Sequence, residues 1–261
     1  MRTIAITGSA SGIGLATRNV LEAEGARVIG IDLKDSDVKA DLATKAGREG
    51  ALQDTLALCN GQLDGFVACA GISGIGNPGS LTVAINYFGA VELLEGLQPA
   101  LAKGTDASAV AISSNSVTTM PNIPDVLIDA LLSGDEAAAA EIADKHTGHA
   151  YAGSKLALAR WVRRSATGEN WIQAGITLNA VAPGRTSTPF DDAMMKNEQI
   201  RPHLEAYPIP KGRLGQADEI GKFIAYLLGP NARFFCGSLL YIDGGSDALM
   251  RADEWPATLR V

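Results

Sequence analysis

Residues 3–14, TIAITGSASGIG, decide how the rest of the chain is read. A run rich in isoleucine and threonine, without polar alternation, leads into a turn whose glycines Gly8, Gly12 and Gly14 are spaced G-x-x-x-G-x-G. A helical pattern follows over residues 12–24. Strand, glycine-rich turn and helix N-terminus together make a cradle for a pyrophosphate. Free N–H groups point at the anion, and side chains at the glycine positions would block its approach. The bare alternative is a glycine-rich turn with no ligand, and the strand–turn–helix context favours the nucleotide.

The alternation set up by this stretch continues to the end. Further apolar runs at 26–31, 38–40, 64–69, 109–113, 175–181 and 239–242 read as strands, and 44–59, 80–102, 150–166 and 217–228 read as helices. The strands are apolar on both sides, as parallel strands covered on two faces are. The expected fold is therefore α/β, a single doubly wound, Rossmann-type parallel sheet of seven strands with helices on both faces. No linker or repeat interrupts it, so residues 1–261 read as one dinucleotide-binding and catalytic domain.

Bulk composition narrows the function classes. A net charge of −7 speaks against nucleic-acid partners, which need a cationic face. The three cysteines, Cys59, Cys69 and Cys236, are scattered without a CxxC or Cys/His cluster, so neither a disulfide framework nor a metal site is expected. The chain enters a strand-like run at once, which predicts no signal peptide. No apolar run reaches the roughly 18 residues of a membrane span, and the expected setting is the cytoplasm.

Individual residues carry the chemistry. Asp32 ends the second strand, where a carboxylate accepts hydrogen bonds from adenosine ribose hydroxyls and repels a 2′-phosphate, favouring NAD over NADP. Lys34 weakens that preference, and a turn-starting aspartate is the plainer alternative. Asp41 reads equally as an acceptor for the adenine amino group or as a cap for the helix after DLAT. In YAGSK, Tyr151 and Lys155 stand at i and i+4, on one helix face. A phenol with a pKa of about 10 becomes a usable acid/base at neutral pH only if cations nearby favour the phenolate. Ser114 follows the strand at 109–113, at the carboxyl edge where such sheets bind ligands, and its hydroxyl suits a carbonyl; Ser116 competes for that role.

TGSASGIG, ACAG, INYFG, AISS, YAGSK, APGRTST and YIDGG occur in an order and spacing that resemble the classical short-chain dehydrogenase/reductase family over essentially the whole chain. The bacterial 3α-hydroxysteroid dehydrogenase/carbonyl reductase subgroup is the nearest resemblance. It implies a catalytic tetrad of Asn86, Ser114, Tyr151 and Lys155. Tyr151 would be the acid/base, Ser114 the carbonyl anchor and Lys155 the ribose ligand that lowers the tyrosine pKa, while Asn86 would hold a water linking Lys155 to solvent. It also implies cofactor contacts from Gly8, Ser11, Gly12, Ile13, Gly14, Asp32, Leu33, Asp41, Leu42, Ala70 and Gly71. Near the nicotinamide it implies Tyr151, Lys155, Pro183, Gly184, Thr186 and Thr188, the last on the carboxamide. Cys69 departs from the family's asparagine, and altered packing rather than lost cofactor binding is the expectation.

A second departure is length. Ser114 and Tyr151 stand 37 positions apart, much farther than in the family, so a helical insertion is expected at about 117–149. Pro124 suits a first turn, Gly134 a stop, Ser133 or Asp135 a cap and Gly148 a second stop. The second helix offers mainly alanines, too little to fold alone, so it must pack on its own subunit or on a neighbour. By the resemblance, the insertion redirects assembly toward a homodimer, with a tetramer possible.

The segment at about 186–212 reads as a substrate lid. Phe190, Met194, Met195, Tyr207 and Ile209 offer an apolar wall for a steroid or other bulky alicyclic alcohol or ketone, or simply lid packing, and His203 is a solvated lid residue. The leading reading is an NAD-dependent oxidoreductase for secondary alcohols and ketones. The rivals are a 3-oxoacyl-thioester reductase and a non-catalytic dinucleotide sensor.

Overall fold

The computed structural model describes residues 1–255. In chain order the first half runs β1 (Thr3–Thr7), α1 (Gly12–Ala23), β2 (Arg27–Asp32), β3 (Val38–Lys39), α2 (Lys45–Leu58), β4 (Gly65–Ala68), α3 (Gly79–Val83), a π-helical turn (Ala84–Phe88), α4 (Gly89–Leu101) and β5 (Ser108–Ile112). The second half runs α5 (Ser116–Thr119), α6 (Asp125–Ser133), α7 (Glu136–Lys145), α8 (Thr147–Ser165), β6 (Thr177–Pro183), β7 (Thr186–Ser187), α9 (Pro189–Met195), α10 (Arg201–Glu205), β8 (Gly215–Gln216), α11 (Ala217–Leu228), β9 (Leu239–Ile242) and α12 (Ser246–Met250).

Seven strands form one sheet in the order β3-β2-β1-β4-β5-β6-β9, every neighbouring pair parallel. The order reverses direction between β1 and β4, which opens a crevice at their carboxyl ends. Successive strand residues face opposite sides. Ala5, Ile29, Phe66 and Ala109 enter the core shared with α4 and α8, while Ile4, Ile6, Val67 and Val110 enter the core shared with α1 and α11. This two-sided burial is why the strands carry no polar alternation.

Three boundaries differ from expectation. The helix expected over 80–102 is α3, a π-helical turn and α4 in succession. Gly148 does not stop α7 but lies in the first turn of α8, which begins at Thr147, so the insertion ends earlier than expected. A glycine in a first turn costs a helix little, and the break falls instead at His146. Asp41 does not cap α2. Thr44 does, its hydroxyl accepting from the Gly47 N–H at 3.0 Å, while Asp41 Oδ1 takes the Ala43 N–H at 3.0 Å.

The insertion packs on its own subunit. Gly134 is left-handed at φ 78° and ends α6, and Asp135 caps α7 by accepting from the Ala138 N–H at 3.0 Å. Leu127, Ile128, Leu131, Ala139 and Ala143 are fully buried in the main core. A side chain at Gly153 on α8 would come within 2.6 Å of Leu127 Cδ2, so α6 rests directly on the helix of the YAGSK motif. Leu127→Ala is therefore expected to cost about 2–5 kcal/mol in a urea titration, whereas Val126→Ala next to it, 57% exposed, costs less than about 0.5 kcal/mol. Equal small effects would make the insertion a surface ornament.

Candidate active site

The cradle forms as the glycine spacing predicts. Gly8 and Gly12 are left-handed, at φ 70° and 52°, and a Cβ on Gly14 would fall 2.0 Å from the Gly8 carbonyl oxygen. At the start of α1, Ser11 makes no side-chain cap, which leaves the first N–H groups of the helix for an anion. Across the crevice stands Thr188, whose Cβ a side chain on Gly12 would meet at 3.6 Å. The Ser9 hydroxyl nearby is buried without a partner. A left-handed, side-chain-free loop at an open helix start fits a dinucleotide.

The ends of the neighbouring strands are tied to this loop. Asp32 Oδ2 accepts the Ala10 N–H at 3.0 Å and Oδ1 accepts the Leu33 N–H at 2.7 Å, so each oxygen keeps a lone pair for ribose hydroxyls. Thr7 Oγ1 accepts the Cys69 and Ala70 N–H groups at 2.9 and 3.0 Å, fixing the wall that runs on to Gly71. That wall has no room for side chains, since a Cβ on Gly71 would lie 3.1 Å from Asn86 Oδ1 and 3.4 Å from Lys155 Nζ.

The four residues expected as the tetrad converge from three places: the π-helical turn, the end of β5 and α8. Asn86 sits inside the π-helical turn, its Oδ1 accepting the Ile72 N–H at 2.8 Å and its Nδ2 donating to the Ile72 carbonyl at 2.9 Å. Ser114, just past β5, accepts the Ser116 N–H at 3.1 Å and stands close enough to the Tyr151 hydroxyl to favour its phenolate. Lys155, on α8, is buried and donates to the Ile112 carbonyl at 2.7 Å, while Ser113 Oγ donates to the Lys155 carbonyl at 3.0 Å. The two serines are thus separated: Ser114 faces Tyr151, and Ser116 offers its backbone N–H to Ser114 while its hydroxyl is buried without a partner. A π-helical turn inserted into an α-helix often marks a functional position, and Asn86 lies within this one.

Family profiles agree with this geometry. One described as short chain dehydrogenase matches residues 2–123, and one described as Enoyl-(Acyl carrier protein) reductase matches residues 136–247. A 3-alpha-hydroxysteroid dehydrogenase/carbonyl reductase of Comamonas testosteroni is 41% identical over 98% of this chain and 100% of its own. The chain belongs to the short-chain dehydrogenase/reductase family. The crystal structure of a 3-alpha-hydroxysteroid dehydrogenase from Pseudomonas sp. B-0831, complexed with NADH, superposes with a TM-score of 0.93 at 43% identity, covering 97% of this chain and 100% of that one. Levodione reductase is more distant, at a TM-score of 0.74 and 26% identity over 95% of this chain and 98% of its own.

Burial sets the electrostatics of this site. It raises the Tyr151 phenol above its ordinary value, opposed by the Ser114 hydroxyl beside it. Burial in turn pulls Lys155 down to about 8, against an opposing pull from Cys69. Cys69 itself is pushed up to about 12 by burial and so is a thiol at that pH, which leaves desolvation dominant and gives no sign of a reactive sulfur.

The lid residues divide. Phe190 packs its ring on Tyr151, centroids 5.8 Å apart, and so borders the reacting groups. Tyr207 is not an open wall residue: its hydroxyl accepts from Asn115 Nδ2 at 2.9 Å and donates to Thr119 Oγ1 at 3.1 Å. Thr188 spends its hydroxyl locally, donating to the Thr186 carbonyl at 3.2 Å and capping α9, and Thr186 Oγ1 donates to the Gly184 carbonyl at 3.0 Å. Pro183 ends β6, with Gly184 beside Asp243. His203 is exposed, as expected. Two groups escaped the sequence reading. Arg185 grips Asp191 through two bonds of 3.0 and 2.9 Å and donates to the Leu204 carbonyl at 2.6 Å, which holds α9 to α10. Asn115, beside Ser114, also donates to Asp243 at 3.3 Å. Neither pairing leaves a periodic trace in the sequence, although Arg185 lies inside the APGRTST motif.

Lys155 gives a stability prediction with a definite sign. Its folded-state pKa lies below the ordinary 10.5, so the unfolded chain binds more protons between pH 8 and 10.5 and stability rises with pH in that window. Urea midpoints of wild type relative to Lys155→Met should therefore climb from pH 8 to 10. A parallel pair of curves would mean the ammonium is not desolvated.

Proposed function

We propose that the chain is an NAD(H)-dependent oxidoreductase for 3α-hydroxysteroids or similarly bulky alicyclic secondary alcohols and the matching ketones. The observation that carries this is the gathering of Asn86, Tyr151 and Lys155 against the bare wall at Gly71 and Gly74, which runs on from the Ala70 contact of the Gly8–Gly14 cradle, with Ser114 beside the phenol. Bound NAD supplies the hydride acceptor. Asp32 receives the adenosine ribose hydroxyls through its free lone pairs and disfavours a 2′-phosphate. Asp41, Leu42, Ala70 and Gly71 border the adenosine, while Pro183, Gly184, Thr186 and Thr188 border the nicotinamide.

In this reading Ser114 donates to the substrate oxygen and Tyr151 takes its proton during oxidation or returns it during reduction. The Lys155 ammonium, still mostly protonated near neutrality with its pKa at about 8, lowers the cost of the phenolate, and the depressed value makes it easier for it to pass a proton on. Asn86 keeps the 70–74 loop against Lys155 through Ile72. Phe190, Met194 and Met195 provide the apolar side of the substrate space, which suits a steroid better than an acyl thioester arm. Assembly as a homo-oligomer, a dimer first, belongs to the same reading. The inward face of the insertion is used within its own subunit, so a contact made by α6 runs through outward residues such as Val126. A mass near 27 kDa by light scattering would sink that part.

The test is NADH formation from NAD, and NADPH formation from NADP, over 3α-hydroxysteroids and other alicyclic alcohols. Expected are turnover with NAD on the steroid, weaker or no turnover with NADP, and about a hundredfold or larger loss of kcat in Tyr151→Phe with NADH binding retained. Turnover of other alcohols alone would discard the steroid. Binding without any turnover would restore the sensor reading.

A further inference from the structure

Among the described residues Arg48 is the largest fully buried side chain, and it has no part in the chemistry described above. It lies one turn into α2 and joins three other elements. Nε donates to Glu92 on α4 at 2.7 Å, Nη2 to Glu136 on α7 at 2.5 Å and Nη1 to the Leu42 carbonyl at 3.2 Å. The two carboxylates are about one-third exposed, whereas the guanidinium is shut off from water.

The Leu42 carbonyl belongs to a segment with little freedom. A Cβ on Gly47 of α2 would fall 2.0 Å from the Asp41 carbonyl oxygen, and one on Gly89 of α4 would fall 3.2 Å from Leu42 Cβ. Asp41 and Leu42 are thus held between two helices with the guanidinium bonded to their backbone. One of the two anions that orient that guanidinium comes from the insertion, from the first residue of α7, fixed in turn by the Asp135 cap. The insertion rests on α8, the helix of Tyr151 and Lys155, and this bridge carries its position to the Asp41–Leu42 segment.

We propose that Arg48 is a positioning residue for the cofactor: through Glu136 and Glu92 it holds the Asp41–Leu42 wall, so that the insertion sets the affinity for the adenosine half of NAD(H). The proposal rests on the reading that residues 41–42 border the adenine. It requires no contact between Arg48 and the nucleotide. Removing one anion frees the guanidinium to turn, loosens the Leu42 carbonyl and lets the wall recede.

The test compares Glu136→Gln and Glu92→Gln with wild type, using NADH and ADP-ribose as probes, since ADP-ribose lacks the nicotinamide. Both variants keep the side-chain size at a partly exposed position. Expected is a rise of about fivefold in Kd for NADH and ADP-ribose alike, with kcat at saturating NADH and KM for the ketone unchanged. A lower melting temperature with unchanged Kd for both probes would reduce Arg48 to a structural ion-pair centre and overturn the proposal. So would a loss for NADH without a loss for ADP-ribose. Asp41→Ala separates the two levels. If it weakens ADP-ribose binding while the Gln variants do not, only the Arg48 bridge falls. If it leaves ADP-ribose binding untouched, the adenine wall falls and the bridge with it.

Discussion

The approach of α1 to β1 governs this structure. A methyl group on Gly14 would overlap the Gly8 carbonyl, so only glycine lets the helix descend onto the loop that leaves the first strand. That descent places the open N–H groups of α1 at the carboxyl end of β1, where the strand order turns back on itself. The same spot gathers the ends of β2 and β4, because Asp32 takes an N–H from the loop and Thr7 takes two from Cys69 and Ala70. An open helix start, a carboxylate at the crevice and a bare wall therefore arise together from one close contact.

The catalytic groups follow a second constraint, burial. Apart from the Ser9 and Ser116 hydroxyls, the buried polar groups here find partners: Asn86 both ends of its amide on Ile72, Lys155 the Ile112 carbonyl, Ser114 an N–H. Leaving such groups unpaired would cost roughly 1–3 kcal/mol each. Burial also moves the tyrosine up and the lysine down, so desolvation opposes the charged form of each, while a lysine at about 8 stays mostly protonated at neutral pH. Any cation near Tyr151 acts against that desolvation.

What could be read from the chain was what short-range pattern dictates. Two-sided apolar strands, the glycine spacing and the i, i+4 pair at Tyr151 and Lys155 are local, and the sheet of seven strands follows from them. The two-residue strands β7 and β8 are too short to carry any pattern. The π-helical turn at Asn86 is likewise silent, since AINYF contains nothing that distinguishes a wider turn from an ordinary one. Tyr207 was read as apolar wall because its hydroxyl partners, Asn115 and Thr119, come from a segment some ninety positions earlier and meet it only in the folded chain. Arg48 shows the same limit: among the polar residues of α2 it looks like a solvated charge, and only the fold reveals that two carboxylates from distant helices cover it.

The alanines of α7 are the clearest case of composition serving geometry. Ala139 and Ala143 are wholly buried, and a Cβ on Gly79 of α3 would lie 2.0 Å from the Ala143 carbonyl, so the two backbones touch with nothing between them. A larger residue on either side would push the helices apart. At this separation Asp144 reaches the Ser80 N–H at 2.7 Å and satisfies the start of α3, the helix that leads into the π-helical turn of Asn86. From the same end of α7 the chain passes at His146 into α8, whose second turn carries Tyr151. A helix poor in apolar mass and weak on its own is thus suited to its place, because it ties together the starts of the two helices that carry Asn86 and Tyr151. Closeness, which small residues allow, supplies the stability that bulk would otherwise provide.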